Sequence, residues 1–299
     1  MKILVSVITP TYNRKELLSR AIKSLLKQTY TNFESIVVDD ASSDNTKQVV
    51  KSFADERISY IRLSKNKGAL GAKNEGIRKA RGKIITFLDS DDEFLPDALE
   101  KIVDAFNFLK EAKAIFFDCI NENGKITGKW TVKNTFVTFP EHLCRKIYGE
   151  FLPALRREVF EKEMFNEEMR SNEKEFFARV LKRYGKIHYV PEVCRIYHQE
   201  APHRITGKEH IFKNSLQTAC DLKIFIDEFK QDFLRLCPER FYYYTYTIGK
   251  NYLLGGENKK ARYFFKQCLH HHLNLRVLTK WILTFGGSSI YRYYFMRRT

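Results

Sequence analysis

The chain has 299 residues, 52 Lys+Arg against 36 Asp+Glu, a formal net charge of +16 and 43% hydrophobic residues. That suffices for one large domain, or a domain with an appendage, and excludes a disordered chain. No apolar run approaches the roughly 18–20 residues of a membrane-crossing helix. The charge excess itself points to nucleic acid, an anionic membrane surface or an anionic small molecule, without choosing among them.

Ile3–Thr9 reads as a buried first strand; Pro10, Asn13, Arg14 and Lys15 follow it with no small-residue cleavage site, so it is not a signal peptide. Leu17, Ala21, Leu25 and Leu18, Ile22, Leu26 then recur at i+4, the stripe of an amphipathic helix. Phe33–Asp39 is the next strand, with a helix start in the Ser/Asp/Asn cluster behind it. Ile58–Leu63 (strand), Gly71–Ala80 (helix), Lys83–Leu88 (strand), Pro96–Leu109 (helix) and Ala114–Ile120 (strand) complete the first 120 residues. This alternation predicts βαβ units and a mainly parallel sheet flanked by helices, an α/β nucleotide-binding type of domain.

Beyond it, Asn123-Gly124 reads as a hairpin turn, Lys129–Phe139 alternates weakly, Lys174–Tyr184 is a helix and Ile187–Val190 a strand. After about Gly207 only helix signals remain. We therefore expect an α/β domain over 1–207 and a helical extension over 208–299. Residues 210–299 hold 15 Lys+Arg and 6 Asp+Glu, and 15 of the 42 aromatics fall in 241–299. Ile248–Glu257 and Lys259–Phe265 read as helix, glycine turn, helix. Six cysteines at least 17 residues apart, with no CxxC pair, fit free thiols in a reducing cytosol.

Ligands of open α/β sheets bind beyond the carboxyl ends of the strands, and three such ends carry chemistry. Asp89-Ser90-Asp91-Asp92 puts three carboxylates in four positions, where a divalent cation relieves their repulsion; the alternative is a turn with Asp92 capping the next helix. Thr9–Arg14 presents an aromatic ring and backbone groups, and Asp39–Asp44 a carboxylate for a base N–H. Each alone reads as a helix cap, but three on consecutive strand ends are poorly explained that way.

VSVITPTYNR, ESIVVDDASSDNT, NKGALGAKNEGIRKARG and IITFLDSDDEFLP together resemble the successive signatures of family-2 glycosyltransferases, in order and spacing, strongly over residues 3–100 and more weakly to about 205. The resemblance implies a GT-A fold that binds a nucleotide-diphosphate sugar through an Asp-x-Asp motif and Mn²⁺ or Mg²⁺. It implies Pro10, Tyr12 and Asp40, with Asp39 beside them, around the base, and Asp89 and Ser90 toward the ribose or sugar. Asp91 is the implied metal ligand, with Asp89 and Asp92 as neighbours. Lys73 and Asn74 stand where the family has Arg-Asn at the diphosphate, and Lys73 lacks the bidentate fork. Members that invert use a general base in a Glu-Asp pair at a helix start; here Asn172-Glu173 aligns with it, which points to Glu173, with Glu175 as the alternative. His198 and Arg204 are the candidates for a basic contact from the segment that closes over the donor.

The activity so implied is inverting, metal-dependent transfer to a glycan or lipid-linked glycan hydroxyl, at the inner face of the membrane. The basic, aromatic tail fits an anionic lipid surface. Three readings compete with it. A sugar-nucleotide nucleotidyltransferase needs a glycine-rich loop that Thr9–Arg14 lacks; a nucleic-acid binder has no supporting motif; and a non-catalytic relative is raised by the departure at Asn172-Glu173.

Overall fold

The computed structural model describes residues 2–170, 172–198, 212–271, 275–286, 289 and 291–292. In chain order it forms β1 (Val5–Thr11), α1 (Lys15–Leu26), β2 (Phe33–Asp39), α2 (Thr46–Ser52), β3 (Ile58–Arg62), α3 (Gly68–Lys79), β4 (Ile84–Phe87), β5 (Glu93–Phe94), α4 (Ala98–Phe108) and β6 (Ala114–Ile120). There follow β7 (Lys129–Trp130), β8 (Phe136–Thr138), α5 (Phe139–Leu143), β9 (Ile147–Tyr148), β10 (Phe151–Arg156), α6 (Arg157–Phe160), α7 (Lys174–Tyr184) and β11 (Lys186–Ile196). The chain divides into two compact units, Met1–Gln199 and Glu200–Thr299.

In the first unit nine strands form one sheet in the order β3-β2-β1-β4-β10-β6-β11-β5, with β8 also on β11. The pairs from β3 to β4 are parallel, as is β6 with β11, but β10 runs antiparallel between β4 and β6, so the sheet is mixed. The reason lies in residues 121–150. A parallel neighbour needs a crossover back to the opposite edge, whereas here the Asn121–Gly124 turn (Gly124 N–H to Asn121 carbonyl, 2.9 Å) and the β7/β9 pair keep the chain at the edge where β6 ended. β10 can then only run backwards. The α1 stripe is buried at Leu18, Ala21, Ile22 and Leu25. Val5, Val7, Ile84, Ile115 and Phe117 lie in the core against α4.

β1 and β2 are buried along their whole length. Pro10 is tolerated inside β1 because pairing with β4 ends at Ile8↔Phe87; the side on which Pro10 lacks an N–H has no strand beside it. The same early exit of β4 opens the strand edge where β1 and β2 end.

The second unit comprises α8 (Ser215–Glu228), α9 (Lys230–Leu236), α10 (Pro238–Leu254), α11 (Asn258–His271) and α12 (Leu275–Leu283). Phe225, Phe229, Phe233 and Tyr244 pack ring against ring, and Tyr252 stacks on Phe264. A Cβ at Gly249 would meet the Phe265 ring at 2.9 Å, so α10 and α11 cross closely there. Many of the aromatics in this region therefore build its core, while Tyr263, Leu275, Ile282 and Phe285 are exposed. No described helix is long and apolar enough to cross a membrane.

Candidate active site

The turns after β1 and β2 form one hydrogen-bonded unit. Asn13 N–H donates to Ser42 Oγ (2.9 Å), Ser43 N–H to Asn13 Oδ1 (2.8 Å), Lys15 N–H to Asp44 (3.2 Å) and Asp40 N–H to the Thr11 carbonyl (2.9 Å). Asn13 and Ala41 adopt φ of 51° and 66°, left-handed backbone that costs a residue with a Cβ roughly 1 kcal/mol or more. Asp39 accepts Ser42 N–H (2.7 Å) on one oxygen and the Tyr60 hydroxyl on the other. Asp40 accepts the N–H groups of Lys67 (2.6 Å) and Gly68 (2.8 Å), fastening the start of α3 to the end of β2. Burial pushes the Asp40 carboxyl up despite those donors. Both expected base-side acids thus have internal partners on each oxygen and shape the turn. The half-exposed Tyr12 ring is the group this turn offers to a ligand.

The acidic turn after β4 is built differently. Leu88 N–H still bonds the Ile8 carbonyl (3.0 Å), and Asp92 N–H closes the turn on the Asp89 carbonyl (3.0 Å). Its carboxylates face cations from elsewhere in the chain. Arg14 pairs with Asp91 at 2.8 Å, and Arg20 donates to the Asp91 carbonyl at 2.5 Å. Lys73 Nζ lies 3.5 Å from Asp89 and 2.5 Å from Glu173, which stands at the N-terminus of α7. The Arg195 guanidinium lies 3.8 Å from Asp89, 3.5 Å from Asp92 and 3.5 Å from Glu150.

The electrostatics follow. Burial opposes the charge on Asp89, but Lys73 and Arg195 outweigh it and hold the carboxyl below its ordinary range. Burial raises Asp91, with the Asp89 charge adding and Arg14 opposing. Asp92 is pushed up to about 7 by burial, against Arg195, with Asp89 and Asp91 adding to the shift. Lys73 stays charged because Asp89 and Glu173 overcome its burial. Asp92 does not cap α4: one oxygen accepts His198 N–H (3.0 Å), and the other has no hydrogen-bond partner among the described residues.

Two expected site residues fall elsewhere. Asn74 is buried, with both ends of its amide on the Phe165 backbone (2.8 and 3.0 Å), so it ties the segment before α7 to α3. Glu175 is buried against Arg179 (2.5 Å), which also holds Glu163 and the Met164 carbonyl, so the alternative base points into packing. His198 anchors the acidic turn through Asp92 and sets its ring 2.8 Å from Glu93. Ser90 is buried in that turn. Arg204 lies outside the described residues. Sequence reasoning passed over Arg14, Glu150 and Arg195. An arginine inside the apolar run VCRI was the one available signal, since a buried guanidinium requires carboxylates.

Among the described residues no group of three or more His, Cys, Asp or Glu forms a ready metal cage. Mg²⁺ and Mn²⁺, however, commonly take one or two carboxylates together with substrate phosphate and water. Asp91, with Asp89 beside it and behind them the Asp92 oxygen that makes no hydrogen bond and faces Arg195 at 3.5 Å, fits that hard-oxygen donor set.

The model of the family described as glycosyl transferase family 2 matches residues 6–205. Over 290 residues the chain is 33% identical to the GalNAc(5)-diNAcBac-PP-undecaprenol beta-1,3-glucosyltransferase of Campylobacter jejuni, covering 91% of this chain and 89% of that protein. A 97-residue stretch is 48% identical to the UDP-Glc:alpha-D-GlcNAc-diphosphoundecaprenol beta-1,3-glucosyltransferase WfgD of Escherichia coli, covering 32% of this chain and 38% of that protein. Among solved structures, S. aureus TarS 1–349 in complex with UDP-GlcNAc gives a TM-score of 0.59 at 20% identity, covering 95% of this chain and 80% of that one. Mannosyltransferase PcManGT from Pyrobaculum calidifontis, in complex with GDP-Man and Mn²⁺, gives 0.57 at 19% identity, covering 97% and 86%. At such identity these two likenesses bear on the fold, the GT-A type.

Proposed function

The chain belongs to glycosyl transferase family 2 and is a glycosyltransferase, and from that premise we propose that it moves a sugar, with inversion, from a nucleoside diphosphate to a hydroxyl of a lipid-linked glycan. The observation that carries the reading is the meeting of Lys73, Asp89 and Glu173, distant in sequence, at one strand edge within 2.5–3.5 Å. Inversion has chemical support in the relatives' names: UDP-glucose carries an α bond, and a beta-1,3-glucosyltransferase makes a β one.

In this reading Tyr12 and the turns of Asp39 and Asp40 receive the nucleoside, and Asp89 orients the sugar. Glu173 accepts the proton of the acceptor hydroxyl as its oxygen attacks the anomeric carbon, while the bond to the diphosphate breaks with its electron pair. Lys73 holds Glu173 in place. A divalent cation on Asp91, when bound, neutralises charge on the departing diphosphate. The exposed Leu275, Ile282 and Phe285, with Arg276 and Lys280 on the same helical stretch, favour contact with an anionic membrane surface, which vesicle co-sedimentation tests.

The experiment is transfer from a panel of nucleotide sugars with and without Mn²⁺ or Mg²⁺. Asp91→Ala and Glu173→Gln are each expected to lower turnover at least a hundredfold with an unchanged thermal melt. Full activity of Asp91→Ala sinks the metal role, and full activity of Glu173→Gln sinks the base.

A further inference from the structure

Two buried cations organise the acidic half of the edge, each shared between Asp89 and one acid from another part of the chain. Lys73, 7% exposed, joins Asp89 to Glu173, and Arg195, 5% exposed, joins Asp89 to Glu150. The carboxylates are the open members of this chain: Glu173 is 28%, Asp89 40% and Glu150 45% exposed. The buried guanidinium also donates to Cys119 Sγ (3.3 Å) and the Phe151 carbonyl (3.5 Å), so it is fixed from below and turns the acids outward.

Glu150 is placed by construction. It follows Gly149, whose φ is +94° and where a Cβ would meet the Thr127 carbonyl at 2.2 Å. Across the turn, a Cβ at Gly128 would meet the Phe151 ring at 2.5 Å and the Glu150 carbonyl at 2.9 Å, so two glycines let the chain fold tightly under this one side chain. β10 starts directly after it and pairs antiparallel with β4, Ala154 opposite Thr86. Continuing that register brings Glu150 level with the acidic turn. The strand order then assigns its side of the site: β2 and β1, whose turns receive the nucleoside, lie on one side of β4, and β10 lies on the other, about 4.8 Å further along the sheet.

From this placement, and resting on the glycosyltransferase reading, we propose that Glu150 is an acceptor-recognition residue: its carboxylate accepts a hydrogen bond from a hydroxyl of the acceptor sugar, on the side of Asp89 away from the nucleotide, while Arg195 positions it. An ionised carboxylate is the strong partner for a sugar hydroxyl, and such a bond is lost by degrees when the charge and then the side chain is removed.

The test is steady-state transfer with UDP-glucose as donor and a short-chain lipid diphosphate of N-acetylglucosamine as acceptor, on the full chain carrying Glu150→Gln or Glu150→Ala. The acceptor KM is expected to rise about tenfold in the first and up to roughly a hundredfold in the second. The donor KM should move less than about twofold in both. An equal rise in donor and acceptor KM, or a fall in kcat with both KM values unchanged, overturns the proposal, because Glu150 would then act only as the counter-charge of Arg195. An unchanged acceptor KM in Glu150→Ala overturns it as well. If the unsubstituted chain transfers no sugar from any nucleotide donor to this acceptor, the parent reading for this substrate class fails, and this proposal with it; every other outcome bears on Glu150 alone.

Discussion

At the ends of β1 and β2, Asp39, Asp40 and Asp44 bond to backbone N–H groups and hydroxyls within about thirty residues of themselves. At the end of β4, Asp89 and Asp91 instead face Lys73 and Arg14, and Asp92 faces Arg195 while accepting the His198 N–H. A carboxylate that accepts main-chain donors fixes the backbone around it. One balanced by a side-chain cation stays able to exchange that partner for a ligand. The first half of the edge is therefore built to hold a shape, and the second to hold charge in readiness. Substitutions in the two halves should fail differently, in stability on one side and in turnover on the other.

The largest effect is expected at Lys73. Lys73→Met removes the cation shared by Asp89 and Glu173 and leaves two neighbouring carboxylates without it. Turnover should fall roughly a hundred- to ten-thousandfold, by misplacing the proposed base, Glu173, and the proposed sugar-facing acid, Asp89, together. Lys73→Arg should restore part of it, since the family pattern carries arginine there. A Lys73→Met enzyme with turnover within tenfold of the parent would break the contrast at its strongest point.

On the other side, Asp40→Ala deprives the Lys67 and Gly68 N–H groups of their acceptor in a buried turn. The cost should be about 2–4 kcal/mol, read by denaturant unfolding, and larger than the cost of Asp91→Ala in the same assay. If the order of those two stabilities is reversed, the division between a shape-holding and a charge-holding half is wrong.

The same division explains what could be read from the chain beforehand. The stripe of α1, the five alternating strands and the three strand-end turns rest on local periodicity and local turn chemistry, so they are visible in short windows of sequence. Glu173 was reached through its helix start, and the structure sets it on Lys73. Arg195, Glu150 and the packing roles of Asn74 and Glu175 were not legible. Each depends on a partner that the mixed sheet brings near, Arg195 meeting Asp89 only because β11 lies beside β6 and returns to the edge where β4 ends. The antiparallel β10 belongs with them, because nothing local in FLPALR states its direction.

A third prediction concerns the support of Glu173. His142 on α5 sets its Nε2 2.9 Å from the Lys174 carbonyl, and its Nδ1 has no hydrogen-bond partner among the described residues. Burial holds its pKa down at about 4. In the unfolded chain it lies near 6.5. Between those values the unfolded chain binds the extra proton, so this site contributes full stability above about pH 6.5, loses it as pH falls, and changes no further below about pH 4. The loss between pH 7 and pH 4.5 should be about 2 kcal/mol, and His142→Gln should remove that part of the acid sensitivity. Denaturant unfolding of both proteins at the two pH values measures it. An equal pH slope in the variant would mean that the start of α7 is not secured through this ring.

The smallest effect is the most discriminating for the shape-holding half. Ala41 takes φ 66° between Asp39, which accepts Ser42 N–H, and the Asn13–Ser43 bond across the edge. A left-handed alanine costs about 1 kcal/mol that glycine does not, whereas glycine loses more backbone freedom on folding, by roughly 0.5–1 kcal/mol. Ala41→Gly should therefore leave stability unchanged or raise it by a few tenths of a kcal/mol. The informative quantity is the donor KM. If the hydrogen bonds around residues 39–44 impose the turn, relieving the strain at Ala41 should shift the donor KM by less than about twofold. A rise of tenfold or more, with the melt unchanged, would show that the strained backbone itself holds the turn in its ligand-ready form, and that the bonds counted here as its cause are only its consequence.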